Sequence, residues 1–158
     1  MKKMIAASIL SVSLIGGVVA PTTFASNDVK QSKQTYGADQ ALAESMKNLG
    51  KKFKMGGQSP AGFDASGFVR YAYKKGAKLT LPRTIATQYK AGKFVKLTAM
   101  KKGDVVFFDL VGKKKPTFVG IYAGDGKVVA ATMKGVRTFT MKSGYWKNKA
   151  IAAKRFVK

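Results

Sequence analysis

Apolar positions recur at helical spacing in the first half of the chain after residue 36, and three helices are predicted there. The first extends from an N-cap at Asp39 to a stop at Gly50. The second begins at Asp64 and ends at Gly76, and the third starts at Thr84 and stops at Gly92. Each segment carries an apolar face and is bounded by residue types that favour helix ends.

From Gly103 onward the pattern changes to short runs of β-branched and aromatic residues, which are typical of strands. Gly124-Asp125-Gly126 predicts a tight turn between two of these runs. The predicted strands are 104–110, 118–123, 127–132, 135–140 and 151–157. Helices followed by antiparallel strands indicate one α+β domain over 37–158, with the N-terminal helices packed on the sheet.

Residues 1–25 have the pattern of a secretory signal peptide. Lys2 and Lys3 precede an uncharged apolar run over 4–20, and Thr23-Phe24-Ala25 supplies a cleavage site. An uncleaved anchor is the alternative, but the run is short for a bilayer span of about 20 residues. Residues 26–36 are polar and are predicted to be a flexible lead-in. The protein is therefore expected to be secreted, extracellular or wall-associated, and its lack of cysteine favours a monoderm bacterium.

The chain is strongly basic, with 30 Lys and Arg against 7 Asp and Glu and a formal charge of +23. Such an excess of positive charge attracts polyanions. Most of it comes from lysine, whose ammonium is a point charge without the planar guanidinium of arginine. Wall teichoic acid and anionic membrane surfaces are the expected partners, and nucleic acid is not expected to be the physiological one. The candidate contact residues are Lys51, Lys52, Lys54, Lys74, Lys75, Lys101 and Lys102.

Four ordered motifs carry a family resemblance. They are Gly56-Gly57 followed by Phe63-Asp64-Ala65-Ser66-Gly67-Phe68, then Leu81-Pro82-Arg83-Thr84 with Gln88, Lys102-Gly103-Asp104-Val105-Val106-Phe107-Phe108, and Phe118-Val119-Gly120-Ile121-Tyr122. Together they resemble the NlpC-type cell-wall peptidases, papain-like enzymes that cut the peptide stems of peptidoglycan. The resemblance implies a papain-like NlpC-type fold and peptidoglycan as a partner.

The resemblance also assigns the catalytic positions. The family's cysteine nucleophile falls on Ala65, its histidine base on Phe118 and its orienting residue on Ala130, and a tyrosine of the family is replaced by Phe53. The chain contains no cysteine and no histidine at all. It is therefore predicted to be a catalytically inactive member, a pseudoenzyme without a cofactor or metal site.

Four other residues near these positions are candidates for a replacement or for a ligand contact: Asp64, Ser66, Arg83 and Gln88. Ser66 adjoins the lost nucleophile, but no base is available, so helix capping or packing is the preferred interpretation. Asp64 is interpreted as the helix cap. Arg83 and Gln88 are candidate ligand contacts, with Arg83 either meeting a stem-peptide carboxylate or tying its loop to the scaffold.

Replacing the triad by apolar groups leaves two hypotheses for the cleft. Phe118 either fills it and adds about 1.5–3 kcal/mol by its burial, or an open apolar groove still holds a stem peptide. The function expected from the sequence is non-catalytic binding of the cell wall, through stem peptide or anionic polymer. Regulation or inhibition of an active wall hydrolase, and a cationic membrane-active or antibacterial role, are the alternatives.

Overall fold

Three helices precede the main sheet in the computed structural model, which describes residues 37–157. Helix α1 comprises residues 37–46, α2 is Ala65–Ala72 and α3 is Ile85–Lys90. The signal peptide predicted at 1–25 and the lead-in predicted at 26–36 lie outside the described residues. No helix within 37–157 has the length and apolar character needed to cross a bilayer.

The main sheet has six strands, and every neighbouring pair in it is antiparallel. A two-stranded hairpin, β1 (Gln58–Ser59) and β2 (Gly62–Phe63), lies just before α2. The main strands are β3 (Lys93–Val95), β4 (Val105–Phe108), β5 (Phe118–Gly124), β6 (Lys127–Thr132), β7 (Gly135–Thr140) and β8 (Ala150–Arg155). Their order is β3-β8-β4-β5-β6-β7, which confirms an α+β fold built on an antiparallel sheet.

The bounds predicted for α1 were wrong at both ends. Residues 37 and 38 are already helical, so Asp39 lies inside the helix and is not its N-cap. Ala38 packs against the backbone at Gly103, a tertiary contact that supports the earlier residues. The helix stops at residue 46, before Gly50, where the Ser45 hydroxyl and the Asn48 amide donate to main-chain carbonyls of the last turns. Such side-chain bonds compete with the helical ladder.

Gly76 does not end the second helix. Regular α-helical geometry stops at Ala72, and a π-helical turn, Tyr73–Ala77, continues through the glycine to a left-handed Lys78. An added Cβ at Gly76 would lie 2.2 Å from the carbonyl oxygen of Gln40. The glycine therefore serves the close approach of α1, and the prediction of a stop there was wrong.

Local signals elsewhere were confirmed. Thr84 caps α3 and forms a capping box with Thr87, although the helix ends at Lys90, two residues before Gly92. Asp125 and Gly126 form the β5–β6 turn with φ of 53° and 76°, the left-handed geometry that a tight hairpin needs. Strand β3 was not predicted, and it pairs with the C-terminal strand β8, far away in the sequence.

A buried polar cluster fixes α2 to the sheet. Tyr73 is fully buried and donates its hydroxyl to the carbonyl of Gly103. Beside it, the Arg155 guanidinium donates twice to Asp104, with Nε–Oδ1 and Nη2–Oδ2 distances of 2.7 Å. The Asp104 carboxylate also accepts from the backbone N–H of Lys101 at 2.7 Å. The π-helical turn after α2, the residues just before β4, and β8 thus share one hydrogen-bonded centre.

Stability is expected to decline at alkaline pH because of Tyr73. Burial first, and then the charge of Asp104, raise the pKa of the Tyr73 phenol well above its ordinary value of 10.0, against an opposing effect of Arg155. The unfolded chain therefore loses this proton first as the pH rises. The stabilisation is complete below about pH 10 and falls above it. Urea unfolding at a series of pH values measures the slope.

Tyr73→Phe should remove the part of the fall in the free energy of unfolding above about pH 10 that comes from this phenol. Tyr145→Phe, at an exposed position, should leave that fall unchanged. An unaltered alkaline slope in Tyr73→Phe would contradict the assignment.

Candidate functional site

An open groove of about 970 Å³ runs between the N-terminus of α2 and the β6–β7 hairpin. Its walls also include the start of β5 and the short 3₁₀ turn Gly144–Trp146. Most of its lining side chains are apolar: Phe53, Met55, Ala65, Ile85, Leu110, Phe118, Ala131, Met133, Phe139, Tyr145 and Trp146. A concave, mainly apolar site of this size is the usual form of a ligand pocket.

Phe118 forms part of the groove's aromatic floor. It is 9% exposed, and its ring centroid lies 5.1 Å from that of Trp146, 5.9 Å from that of Phe108 and 6.3 Å from that of Phe139. Phe139 and Trp146 stack with centroids 3.8 Å apart. The ring therefore packs into an aromatic cluster, as in the first hypothesis for the cleft, while the groove beside it stays open, as in the second.

Of the other three positions assigned from the resemblance, two line the groove and one does not. Ala65 is the first residue of α2 and lines the groove, as does Phe53. Ala130 is fully buried on β6 and is not among the lining residues; it lies opposite Arg137 of β7. The structure thus brings Ala65, Phe118 and Phe53 together and places Ala130 beneath the surface.

Asp64 holds the N-terminal end of α2. Its Oδ1 accepts from the backbone N–H of Gly67 at 2.7 Å, and its Oδ2 accepts from that of Gly56 at 3.1 Å. The Arg83 guanidinium adds two more bonds, from Nη2 to Oδ2 at 2.6 Å and from Nη1 to Oδ1 at 3.1 Å. The cap predicted at Asp64 is confirmed, and the carboxylate is saturated by scaffold contacts.

Arg83 and Gln88 tie the 81–84 loop to α2. Arg83 Nη1 also donates to the Ser66 hydroxyl at 3.0 Å, and Gln88 Nε2 donates to the carbonyls of Ser66 and Pro82 at 3.0 and 2.9 Å. Gln88 is fully buried and Ser66 nearly so. For Arg83 this geometry is the scaffold tie rather than an open ligand contact.

The groove has neither cysteine nor histidine in its lining, since the chain contains none. Of the residues that the structure describes, Asp64 is the one acidic residue that lines the groove, and its oxygens accept bonds from Arg83 and two backbone N–H groups. Among residues 37–157, no three acidic side chains cluster closely enough to hold a metal ion.

The candidate lysines are exposed but lie in separate places. Three of them, Lys51, Lys52 and Lys54, adjoin the groove-lining Phe53 in the sequence. The carbonyl oxygen of Lys51 accepts a hydrogen bond from the backbone N–H of Val136 on β7. Lys101 and Lys102 lie before β4, where the Lys102 side chain passes Gly124 at the far end of β5 from Phe118. The two groups therefore lie beside different strands of the sheet, one next to β7 and the other at the end of β5.

Sequence reasoning missed the cationic residues that do line the groove, Lys134 and Arg137. It also missed the wall formed by Met133, Tyr145 and Trp146. A signal was present in the alternation of β7, which places Arg137 and Phe139 on the same face of the strand, and in the presence of a single tryptophan.

The helix cap, the groove and the antiparallel sheet define a papain-like α+β domain whose cleft opens at the start of one helix. Residues 50–155 match the model of the NlpC/P60 family. The chain belongs to the NlpC/P60 family.

The curated relatives include an endopeptidase and a hydrolase. Murein DD-endopeptidase MepH of Escherichia coli is 32% identical over 133 residues, covering 81% of this chain and 49% of the relative. Gamma-DL-glutamyl hydrolase of Bacillus subtilis is 41% identical over 119 residues, covering 72% and 29%. The chain therefore spans half or less of the length of these relatives.

Solved structures of the family share the fold. An NlpC/P60 family protein from Bacillus cereus superposes with a TM-score of 0.71 at 28% identity, covering 77% of this chain and 40% of that one. RipD of Mycobacterium tuberculosis, a non-catalytic NlpC/P60 domain protein adapted to peptidoglycan binding, superposes with a TM-score of 0.65 at 27% identity, covering 77% and 98%. The family thus contains both endopeptidases and a non-catalytic, peptidoglycan-binding member.

Proposed function

We propose that this chain is a secreted, non-catalytic NlpC/P60 protein that binds peptidoglycan through its apolar groove. The observation that carries the proposal is the open groove lined by Ala65 and Phe118, the residues at which the family resemblance places the nucleophile and the base. Loss of catalysis without loss of the cleft is consistent with selection for binding.

The mouth of the groove is suited to a ligand with small apolar groups. Met55 and Met133 line it and are each 80% exposed, so their flexible thioethers are available for contact. Tyr145 is also largely exposed and adds a flat surface. RipD provides a precedent for retention of this fold for binding alone.

The positive charge supports a second component, diffuse attraction to anionic wall polymers such as teichoic acid. The formal charge of +23 is distributed over separated lysines, without a geometry that would select one anion. Such attraction weakens steeply as salt rises, whereas apolar contacts in the groove do not. The two components are therefore separable by salt.

A pull-down on purified sacculi, with and without teichoic acid and over a salt series, tests the proposal. We expect polymer-free sacculi to retain the protein at high salt, and the polymer to add binding that salt abolishes. We also expect no muropeptide release, with a cysteine-containing homologue as positive control. Failure to bind polymer-free sacculi at any salt, or release of muropeptides, would contradict the proposal.

A matched pair of double variants locates the binding surface. Met55→Glu with Met133→Glu should weaken retention on polymer-free sacculi about ten-fold or more, because apolar contact is lost. Phe94→Glu with Val111→Glu adds the same charge at exposed apolar positions outside the groove lining and should leave retention within about two-fold. Equal losses in both pairs would assign binding to charge instead of the groove.

A further inference from the structure

Three of the four arginines have evident structural roles. Arg70 donates to a backbone carbonyl and to the Gln58 side chain, while Arg83 and Arg155 each form an ion pair with an aspartate. Arg137 is the exception, because its guanidinium has no hydrogen-bond or ion-pair partner among residues 37–157. It is exposed on β7 and lines the groove. Because the chain draws nearly all its charge from lysine, an arginine placed here needs a separate explanation.

The neighbours of Arg137 are small or apolar. It lies directly opposite Ala130 on β6, at the Cβ separation of about 4.5–5.5 Å typical of such pairs. Phe139, two residues along the same strand, lies on the same face and belongs to the aromatic floor. An ion pair formed against such an apolar wall is less screened than one in open water.

In the part of the chain that the structure describes, no acidic side chain of the groove competes for this guanidinium. Asp64, the only acid in the lining there, is engaged by Arg83 and by two backbone N–H groups. Lys134 lines the same rim and adds a second positive charge. The β6–β7 side of the groove therefore offers positive charge to an incoming ligand.

We propose that Arg137 is a specificity-determining residue that recognises a carboxylate of the bound peptide. The planar guanidinium can donate two parallel bonds to a carboxylate, which a lysine cannot do. The floor of Phe118, Phe139 and Trp146 takes the ligand's small apolar groups. The ligand class is thus an anionic stem peptide with free carboxylates, and the inference rests on the peptidoglycan binding proposed above.

Trp146, the only tryptophan in the chain, lines the groove and reports its occupancy by fluorescence. We would titrate the protein with a synthetic peptidoglycan stem peptide and with the same peptide whose carboxylates are converted to carboxamides. Wild type should bind the carboxamide form about ten-fold or more weakly, the loss expected for a charge-assisted bond. Arg137→Gln should bind both forms with similar affinity, and Arg137→Lys should regain only part of the difference.

Lys127→Gln is the matched control, because it removes one charge from an exposed site outside the groove lining. It should keep the preference for the free carboxylates. Equal binding of the two peptides by wild type would overturn the role of Arg137 while leaving groove binding intact. A loss of preference in Lys127→Gln equal to that in Arg137→Gln would also overturn it, since net charge would then suffice. If neither peptide binds and sacculi are not retained, the proposed function fails as well.

Discussion

Replacing Phe118 by alanine is expected to lower the free energy of unfolding by about 3–5 kcal/mol, the range for deleting a buried phenylalanine. The ring is 9% exposed and contacts Phe108, Phe139 and Trp146, so its removal leaves a void in the aromatic floor. Urea unfolding followed by circular dichroism gives the change. Position 118, where the family resemblance places the catalytic base, would then contribute strongly to stability.

Phe94→Ala is the control for this prediction, because Phe94 is the same residue type but is 67% exposed on the edge strand β3. Its loss should change the free energy of unfolding by no more than about 0.5 kcal/mol. If the two alanine variants proved equally stable, the Phe118 ring could not be part of a packed floor.

Replacing Asp104 by alanine is the second change with a large expected effect. The carboxylate is 1% exposed and holds Arg155 through two bonds, while Arg155 retains some contact with water. Removing one partner of a buried pair leaves the other charge uncompensated at a cost of about 3–5 kcal/mol, and the partial exposure of Arg155 should bring this toward about 3 kcal/mol. The bond to the Lys101 N–H is lost as well.

Asp104→Asn separates the two contributions, since the amide oxygen can still accept from the Lys101 N–H but carries no charge. It should be less destabilising than the alanine variant. Glu44→Ala breaks the exposed pair between Lys47 and Glu44 and should cost at most about 1 kcal/mol. A similar small cost for Asp104→Ala would show that the buried pair contributes no more than a surface one.

The elements that the sequence predicted well are those defined by neighbouring residues. The cap at Asp64, the apolar face of α2, the capping residue Thr84 and the Asp125-Gly126 turn each depend on a few adjacent positions. The misplaced helix ends depend instead on distant contacts. Gly76, for example, is interpretable only once the Gln40 carbonyl is known to lie against it.

The residues of the candidate site divide in the same way, into those that neighbouring positions identify and those that depend on distant contacts. Ala65 and Phe118 could be located because ordered motifs place them, and their apolar character is evident from residue type alone. Arg137 and Trp146 could not be assigned, because they join the groove only when the β6–β7 hairpin and the turn after β7 meet the start of α2. The alternation of β7 places Arg137 on the same face as Phe139, but only the tertiary structure shows that this face borders the groove.

The position of β8 between β3 and β4 has a consequence for how the sheet assembles. β3 and β4 do not pair with each other and are joined only through β8, the last strand described, whose Arg155 reaches back 51 residues to Asp104. Contacts so distant in sequence make closure slow. During synthesis β3 therefore waits unpaired until β8 has been made, although β4, β5, β6 and β7 can already pair with one another.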